Sequence, residues 1–455
     1  MMNVQLSLEQ VLISLPDDAP EATVGHMFMP PFFEALGFQS TEILAEFSTK
    51  RGAEKVDYAL RHNKEDCDSF VKSRTNPNVI VEIKKRNDNL QEGTPQYKET
   101  VCQLKSYLLA PNCKTVQWGI ITNASHIQLF RKHGKVVHPS SLCLEITPDN
   151  ISKITKDIRQ KIDNTPRALT VAIYNNKGGV GKTTTTVNLA ATLTVQGKKV
   201  LIVDFDPNQK DLTRYFNIKP KKDSIFSLLE DKNDRISFKG ELVSYTVNFK
   251  TPAKTLSFDI LPCDEKLGDC SEVELKQLFK ENRLRQVLDK VKFDYDYILI
   301  DSPPNWRFFS RSAVIASDVV IIPTKPNNIF SLENAAITIK DYIPEVQKLK
   351  RDGTPVALPI FWNGEKITEP QKRTAYKAID NLIEQSEKNQ ETPFDLQPYF
   401  YPRFKNSVNI QKQLIFELPS YAHIANSAFS HLPAVYKDIT AYNYYLDLAK
   451  EYLLQ

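Results

Sequence analysis

Seven consecutive residues, Lys177-Gly178-Gly179-Val180-Gly181-Lys182-Thr183, constrain this 455-residue chain more than any other stretch. Three of its 14 glycines fall within positions 178–181. Glycine has no Cβ, so main-chain N–H groups can curl inward towards an anion and φ can turn positive. Ahead of the loop, Ala168-Leu169-Thr170-Val171-Ala172-Ile173 is an apolar run that predicts a buried strand. Behind it, Val187, Leu189, Ala190, Ala191 and Leu193 continue as a helix. Strand, glycine turn and helix N-terminus together make the setting in which amides cradle phosphates. There Lys182 would neutralise the β- and γ-phosphates and the Thr183 hydroxyl would help hold Mg²⁺, with Thr184 as the next contact. The expectation is a nucleoside-triphosphate site over 177–184.

The general phosphate-loop motif begins with glycine, whereas Asn176 stands there and a second lysine, Lys177, follows. A loop of the form K-G-G-x-G-K-T resembles the deviant Walker A of the ParA/MinD family of dimeric ATPases. The resemblance implies ATP with Mg²⁺, and a homodimer formed on ATP. In that dimer Lys177 would cross to the other subunit's phosphates and take part in catalysis.

Two later segments carry the same resemblance. Val200-Leu201-Ile202-Val203 leads into Asp204-Phe205-Asp206-Pro207, and period-2 spacing points both acids into one crevice. A solvated pair at a strand end is the plainer alternative. By the resemblance Asp206 polarises the attacking water, while Asp204 belongs to the Mg²⁺ shell or holds the loop. Tyr297-Ile298-Leu299-Ile300-Asp301-Ser302-Pro303-Pro304 reads as a Walker B strand, with Asp301 reaching Mg²⁺ through a water. Apolar runs at 169–174, 200–203, 256–261, 297–300, 319–322 and 356–361 alternate with amphipathic helical stretches. That order predicts an α/β domain with a mostly parallel sheet. The resemblance covers about residues 167–455, most clearly up to Pro323.

A chain of this length exceeds one ordinary core and implies two or three domains. Its 41% hydrophobic and 25% charged residues are ordinary for a globular protein, and a net charge of +4 neither requires nor opposes a nucleic-acid partner. Cys67, Cys102, Cys113, Cys143, Cys263 and Cys270 contain no C-x-x-C pair and read as reduced thiols. The seven histidines form no metal motif. The N-terminus lacks a basic, then apolar, leader, and no 18-residue apolar stretch occurs, so the expected location is cytoplasmic.

MinD-like relatives dock a basic helix on membrane. Here Tyr442, Leu446, Ala449 and Leu453 form an apolar stripe in which only Lys450 is basic, so a packed core helix is expected and no membrane partner. That favours the branch of the family that binds DNA, largely without sequence preference and only with ATP. Candidate contacts are Lys219, Lys221, Lys222, Lys348, Lys350, Arg351, Lys372, Arg373, Arg403, Lys405 and Lys412, although a solvated surface is the commoner fate of such residues.

About 165 residues precede the ATPase. Ile151, Ile154, Ile158 and Ile162 have helical spacing in the polar stretch 149–166, which predicts a linker helix ended by Asn164-Thr165-Pro166. The expected division is a first domain over 1–148, that linker, and an ATPase over 167–455. Within the first domain, Val56-Asp57-Tyr58-Ala59-Leu60 and Val79-Ile80-Val81-Glu82-Ile83-Lys84-Lys85 read as strands. Alternation puts Glu82 and Lys84 on one face. Two acids and a lysine suit metal-assisted phosphodiester hydrolysis: Asp57 and Glu82 would hold Mg²⁺ and Lys84 would orient or activate the attacking water.

Gln103-Leu104-Lys105-Ser106-Tyr107 follows, read as the start of a helix, and then the strand Trp118-Gly119-Ile120-Ile121-Thr122-Asn123-Ala124. This order resembles the PD-(D/E)xK nuclease domain at the N-terminus of type I restriction enzyme R subunits, a restriction-endonuclease-like α/β fold. Ala124 stands where that family has glycine, and an upstream helical acid would be Glu21 or Glu34. Helicase motifs are missing, so this resemblance ends with the first domain.

Three roles fit these readings. One is an ATP-switched DNA-binding dimer for partition or DNA tracking, with a nuclease attached and a centromere-binding partner. Another is an ATP-gated nuclease of a restriction or phage/plasmid defence system, with a defence-system partner. The last is an ATPase whose inactive nuclease fold serves as a DNA-binding adaptor, which the retained Asp57, Glu82 and Lys84 oppose.

Overall fold

In the first unit, apolar and β-branched runs set the strands β1 (Ile43–Ser48), β2 (Lys55–Leu60), β3 (Val79–Ile83), β4 (Trp118–Thr122), β5 (His126–His133), β6 (Val136–Pro139) and β7 (Leu144–Glu145). They form one sheet in the order β1-β2-β3-β4-β5-β6, with β7 also paired to β5. Only β3 and β4 run parallel, and the helix Pro95–Leu108 connects them. The computed structural model describes residues 6–64, 68–219, 222–250, 253–402 and 415–455. Cys67, Lys221, Arg403, Lys405 and Lys412 lie outside the described residues.

Alternation along β3 decides which side chain meets which layer. Val79, Val81 and Ile83 join a core with the helical segments Leu8–Ser14 and Met29–Ala35, whereas Ile80 packs with Leu104, Tyr107 and Leu108 on the other face. Gln103 and Tyr107 lie near the end of their helix rather than at its start. The helix begins at Pro95, where Thr94 accepts from the Tyr97 N–H and proline occupies the first turn.

The helix Ile151–Asp163 corrects the expected linker. Ile151, Ile154, Ile158 and Ile162 are all buried in the first unit's core, so this helix is a layer of that unit rather than a connection. The first unit comprises Met1–Thr165 with Arg351–Gly353 and Leu453–Gln455; the second comprises Pro166–Lys350 and Thr354–Tyr452.

The second unit is built on β8 (Leu169–Ile173), β9 (Val200–Asp204), β10 (Val243–Lys250), β11 (Ala253–Leu261), β12 (Tyr297–Asp301), β13 (Val319–Ile321), β14 (Pro323–Thr324), β15 (Val356–Ala357), β16 (Phe361–Asn363) and β17 (Phe416–Leu418). The main sheet runs β10-β11-β9-β12-β8-β13-β15, parallel except for the β10–β11 edge pair. A smaller parallel sheet holds β14-β16-β17. The run expected over 356–361 therefore splits between two sheets. Pro359 has no N–H to give a ladder, and the strand stops before it.

The helix Lys182–Val195 is almost entirely buried despite its threonines. Thr186, Thr192 and Thr194 each donate to the carbonyl four residues back, at 2.8–3.1 Å, which satisfies hydroxyls inside a core. The helix Ile439–Tyr452 packs beside it, buried through Ala441, Tyr445, Leu448, Ala449 and Tyr452. Tyr442 and Leu446 are only half-buried, so the inward face is rotated from the expected stripe. Among the described residues no helix is long and apolar enough to cross a membrane.

Candidate functional site

The C-terminal ends of β8, β9 and β12 converge on the glycine loop, the place where open α/β sheets hold ligands. Asp301 is register-paired with Asp204 on one side and Ile173 on the other. Gly181 caps the helix Lys182–Val195 with φ at +85°, and Gly179 stands at +75°. A Cβ at Gly181 would also come within 2.4 Å of Asn363 Nδ2 and would push that side chain aside, while the positive φ itself favours glycine.

Lys182 is buried and folds back over the loop, donating to the carbonyls of Lys177 at 3.3 Å and Asn175 at 3.5 Å. Burial lowers its pKa, against the pull of Asp301 and Asp206. Thr183 Oγ1 donates to Asp301 Oδ2 at 2.6 Å. Asp301 Oδ1 is buried with no hydrogen-bond partner. Burial raises the Asp301 pKa, and the nearby Asp204 and Asp206 add to it while Thr183 and Lys182 oppose. Thr184 is half-buried on the first helical turn.

The two acids after β9 divide their work. Asp204 is fully buried, and its Oδ2 accepts from the Thr213 N–H at 2.8 Å and Thr213 Oγ1 at 2.6 Å. Its Oδ1 accepts from the Asp206 N–H at 3.2 Å. Both Asp204 oxygens are thus engaged within the loop, which matches the second of the two places expected for it. Burial pushes its pKa up to about 6. Asp206 accepts only long bonds from the Asn208 and Gln209 N–H groups, both at 3.2 Å.

Sequence reading missed several residues that shape the loop. Asn363, at the end of β16, donates to the Val180 carbonyl at 2.8 Å and to Thr185 Oγ1 at 3.3 Å. Asn175 donates to the carbonyls of Pro323 at 2.9 Å and Ser331 at 3.0 Å. The Asn363-Gly364 turn after an apolar run was the one available signal for the first.

In the first unit the expected acids and lysine come together. Asp57 Oδ2 accepts from the Ile83 N–H at 2.7 Å, and Lys84 Nζ donates to Glu82 Oε1 at 2.5 Å. Glu82 Oε2 is buried without a partner. Burial, then the Asp57 charge, pushes the Glu82 carboxyl up to about 7. Burial alone would lower Lys84, but Glu82, Glu21 and Asp57 outweigh it and raise it. Glu21 is raised by burial and by Asp57, which places it with this cluster; Glu34 is exposed and lines a different cavity with Lys156 and Arg159.

Gln103 Nε2 donates to the Tyr107 hydroxyl at 2.8 Å, and Tyr107 feels the charges of Glu82 and Asp57. Ala124 is buried at φ +65°, a left-handed conformation in which glycine is the unstrained residue. Among the described residues no group of three or more His, Cys, Asp or Glu side chains is arranged to hold a metal by itself. A cation at either site would complete its shell with water and phosphate oxygens, as Mg²⁺ commonly does.

The candidate DNA contacts differ in their surroundings among the described residues. Lys350 Nζ donates to the Ser317 carbonyl at 2.6 Å and Lys372 pairs with Glu417, while Lys219, Lys222, Lys348 and Arg373 are exposed. Arg351 belongs to the first unit.

Residues 168–353 match the AAA domain family. The chain is similar to an uncharacterized protein of Pseudomonas putida, 30% identical over 252 residues that make up 55% of this chain and 84% of that one. It is 39% identical over 158 residues to the sporulation initiation inhibitor protein Soj of Bacillus subtilis, covering 34% of this chain and 57% of Soj. With the chromosome partitioning protein ParA of Caulobacter vibrioides it shares 33% identity over 157 residues, 34% of this chain and 54% of that protein. The chain thus spans a little over half the length of Soj and of ParA.

Proposed function

This chain belongs to the ParA/MinD family of P-loop ATPases, and on that premise we propose that ATP switches it from monomer to DNA-binding dimer. The reading includes partition or DNA tracking as the task, and a Mg²⁺-dependent DNA endonuclease in the first unit. One observation supports the switch above others: Thr183 joins Asp301, whose second oxygen is buried and unpartnered.

ATP and Mg²⁺ fit this donor set. Thr183 and Asp301 would hold the cation, and amides of the glycine loop would bind the phosphates. When bound, Mg²⁺ neutralises charge on the β- and γ-phosphates. Lys182 adds its charge between them, Asp206 orients the attacking water, and Asp204 keeps the Asp206 loop in place. Lys177 reaches the second protomer's nucleotide. Hydrolysis removes the group that holds the pair together, so the dimer is timed by chemistry.

In the first unit Asp57 and Glu82 would hold Mg²⁺ and Lys84 would position the water that attacks the phosphodiester. The convergence of these three with Glu21 favours an active nuclease over an adaptor. Incubating supercoiled DNA with the protein, Mg²⁺ and ATP tests both halves, scored for cleavage and for retardation. Retardation that needs ATP and weakens steeply with salt is expected, because phosphate contacts release counterions. DNA that is neither retarded nor nicked under any of these conditions would remove the proposal.

A further inference from the structure

Three consecutive loop residues meet one helix, Ile329–Ile337. Asn175 Nδ2 donates to the Ser331 carbonyl at 3.0 Å, and Asn176 Nδ2 donates to Asn334 Oδ1 at 3.2 Å. Lys177 meets it differently: its Nζ lies over the Phe330 ring, 5.9 Å from the centroid. The main chain of Lys177 is pinned, since its N–H donates to Asn175 Oδ1 at 3.0 Å. Its ammonium has no ion pair among the described residues. The ring beneath it is 59% exposed, and the adjoining Ile329 is 39% exposed.

We propose that Phe330 is the resting seat of Lys177, a positioning residue that keeps the lysine on its own chain until a second nucleotide-loaded copy draws it across. This rests on the dimer reading above. The negative face of an aromatic ring attracts an ammonium within about 6 Å, but only weakly where water has access. Such a seat cannot compete with a triphosphate for the same charge. It acts as a light latch, setting how readily pairing begins without contributing a contact to the nucleotide. The two asparagine contacts keep the loop against the helix in the meantime, so the lysine and the ring remain in register.

Leucine at 330 keeps apolar bulk and loses the π face, whereas tyrosine keeps both. In an Asp206→Ala background, which holds the ATP state, sedimentation with saturating ATP and Mg²⁺ gives the dimer Kd. Phe330→Leu should tighten pairing by about two- to fivefold per protomer, the reach of one exposed cation–π contact, and Phe330→Tyr should match its parent. Without nucleotide, an amine-reactive ester should acylate Lys177 faster in Phe330→Leu than in Phe330→Tyr, read by mass spectrometry. Pairing that is unchanged or weaker in Phe330→Leu overturns the seat, as does an equal acylation rate. A parent protein that stays monomeric with ATP overturns the dimer reading instead, which keeps the two failures apart.

Discussion

Thr183 Oγ1 donates to Asp301 Oδ2 at 2.6 Å, joining residues 118 apart in the chain. The bond fastens the first turn of the helix behind the glycine loop to the end of the central strand β12. Thr183→Val keeps the shape and removes the hydroxyl, leaving both Asp301 oxygens buried without a partner. Loss of about 1–3 kcal/mol of stability is expected from urea unfolding, with nucleotide binding weakened as well. An unchanged midpoint would show that the bond contributes nothing.

Asp206→Ala should bind ATP and pair, yet hydrolyse slowly, because orienting the water matters only for the chemical step. Phosphate release and sedimentation on the same sample separate the two effects. Normal turnover would place the water elsewhere than at Asp206.

Glu82 holds its proton up to about pH 7 in the fold, whereas its ordinary value is 4.5. Between those values the unfolded chain has released the proton and the folded one has not, so stability falls as pH rises from 4.5 to 7 and then levels. Glu82→Gln has nothing to titrate. Relative to wild type, the variant should therefore gain up to about 3 kcal/mol between pH 4.5 and pH 8 in EDTA. It should also fail to cleave DNA. Parallel stability curves for the two proteins would contradict the buried, proton-holding carboxyl.

Ala124 sits at φ +65° with its side chain buried. Ala124→Gly should relieve that conformation and stabilise the first unit by about 1 kcal/mol, offset in part by glycine's greater freedom when unfolded. Thermal unfolding would show it, and a lowered Tm would mean that the methyl packing outweighs the strain.

Much of the ATPase core was legible because β8, β9 and β12 are parallel strands buried on both faces, which leaves continuous apolar runs. β10 was missed because it is a half-exposed edge strand, where polar residues alternate with apolar ones. The helix Ile151–Asp163 shows the opposite error. Its isoleucine spacing was plain, but spacing alone does not say which body the stripe packs against. Asn363 was missed for another reason: its turn was visible, but its role comes from Val180, 183 residues away in the chain. The loop-holding place of Asp204, partnered by Thr213 nine residues on, was by contrast one of the two expected.

Lys177 carries the account's central claim, that ATP pairs two copies of this chain and thereby gates what they do to DNA. Light scattering with ATP and Mg²⁺ should give the mass of a dimer for wild type and of a monomer for Lys177→Ala. The Lys177→Ala protein should still bind ATP. The same two proteins on supercoiled plasmid should differ in linear product if the first unit is the proposed nuclease, since one such domain would cut one strand and a pair would bring two together. A Lys177→Ala protein that forms the dimer and yields as much linear DNA as wild type would contradict the claim.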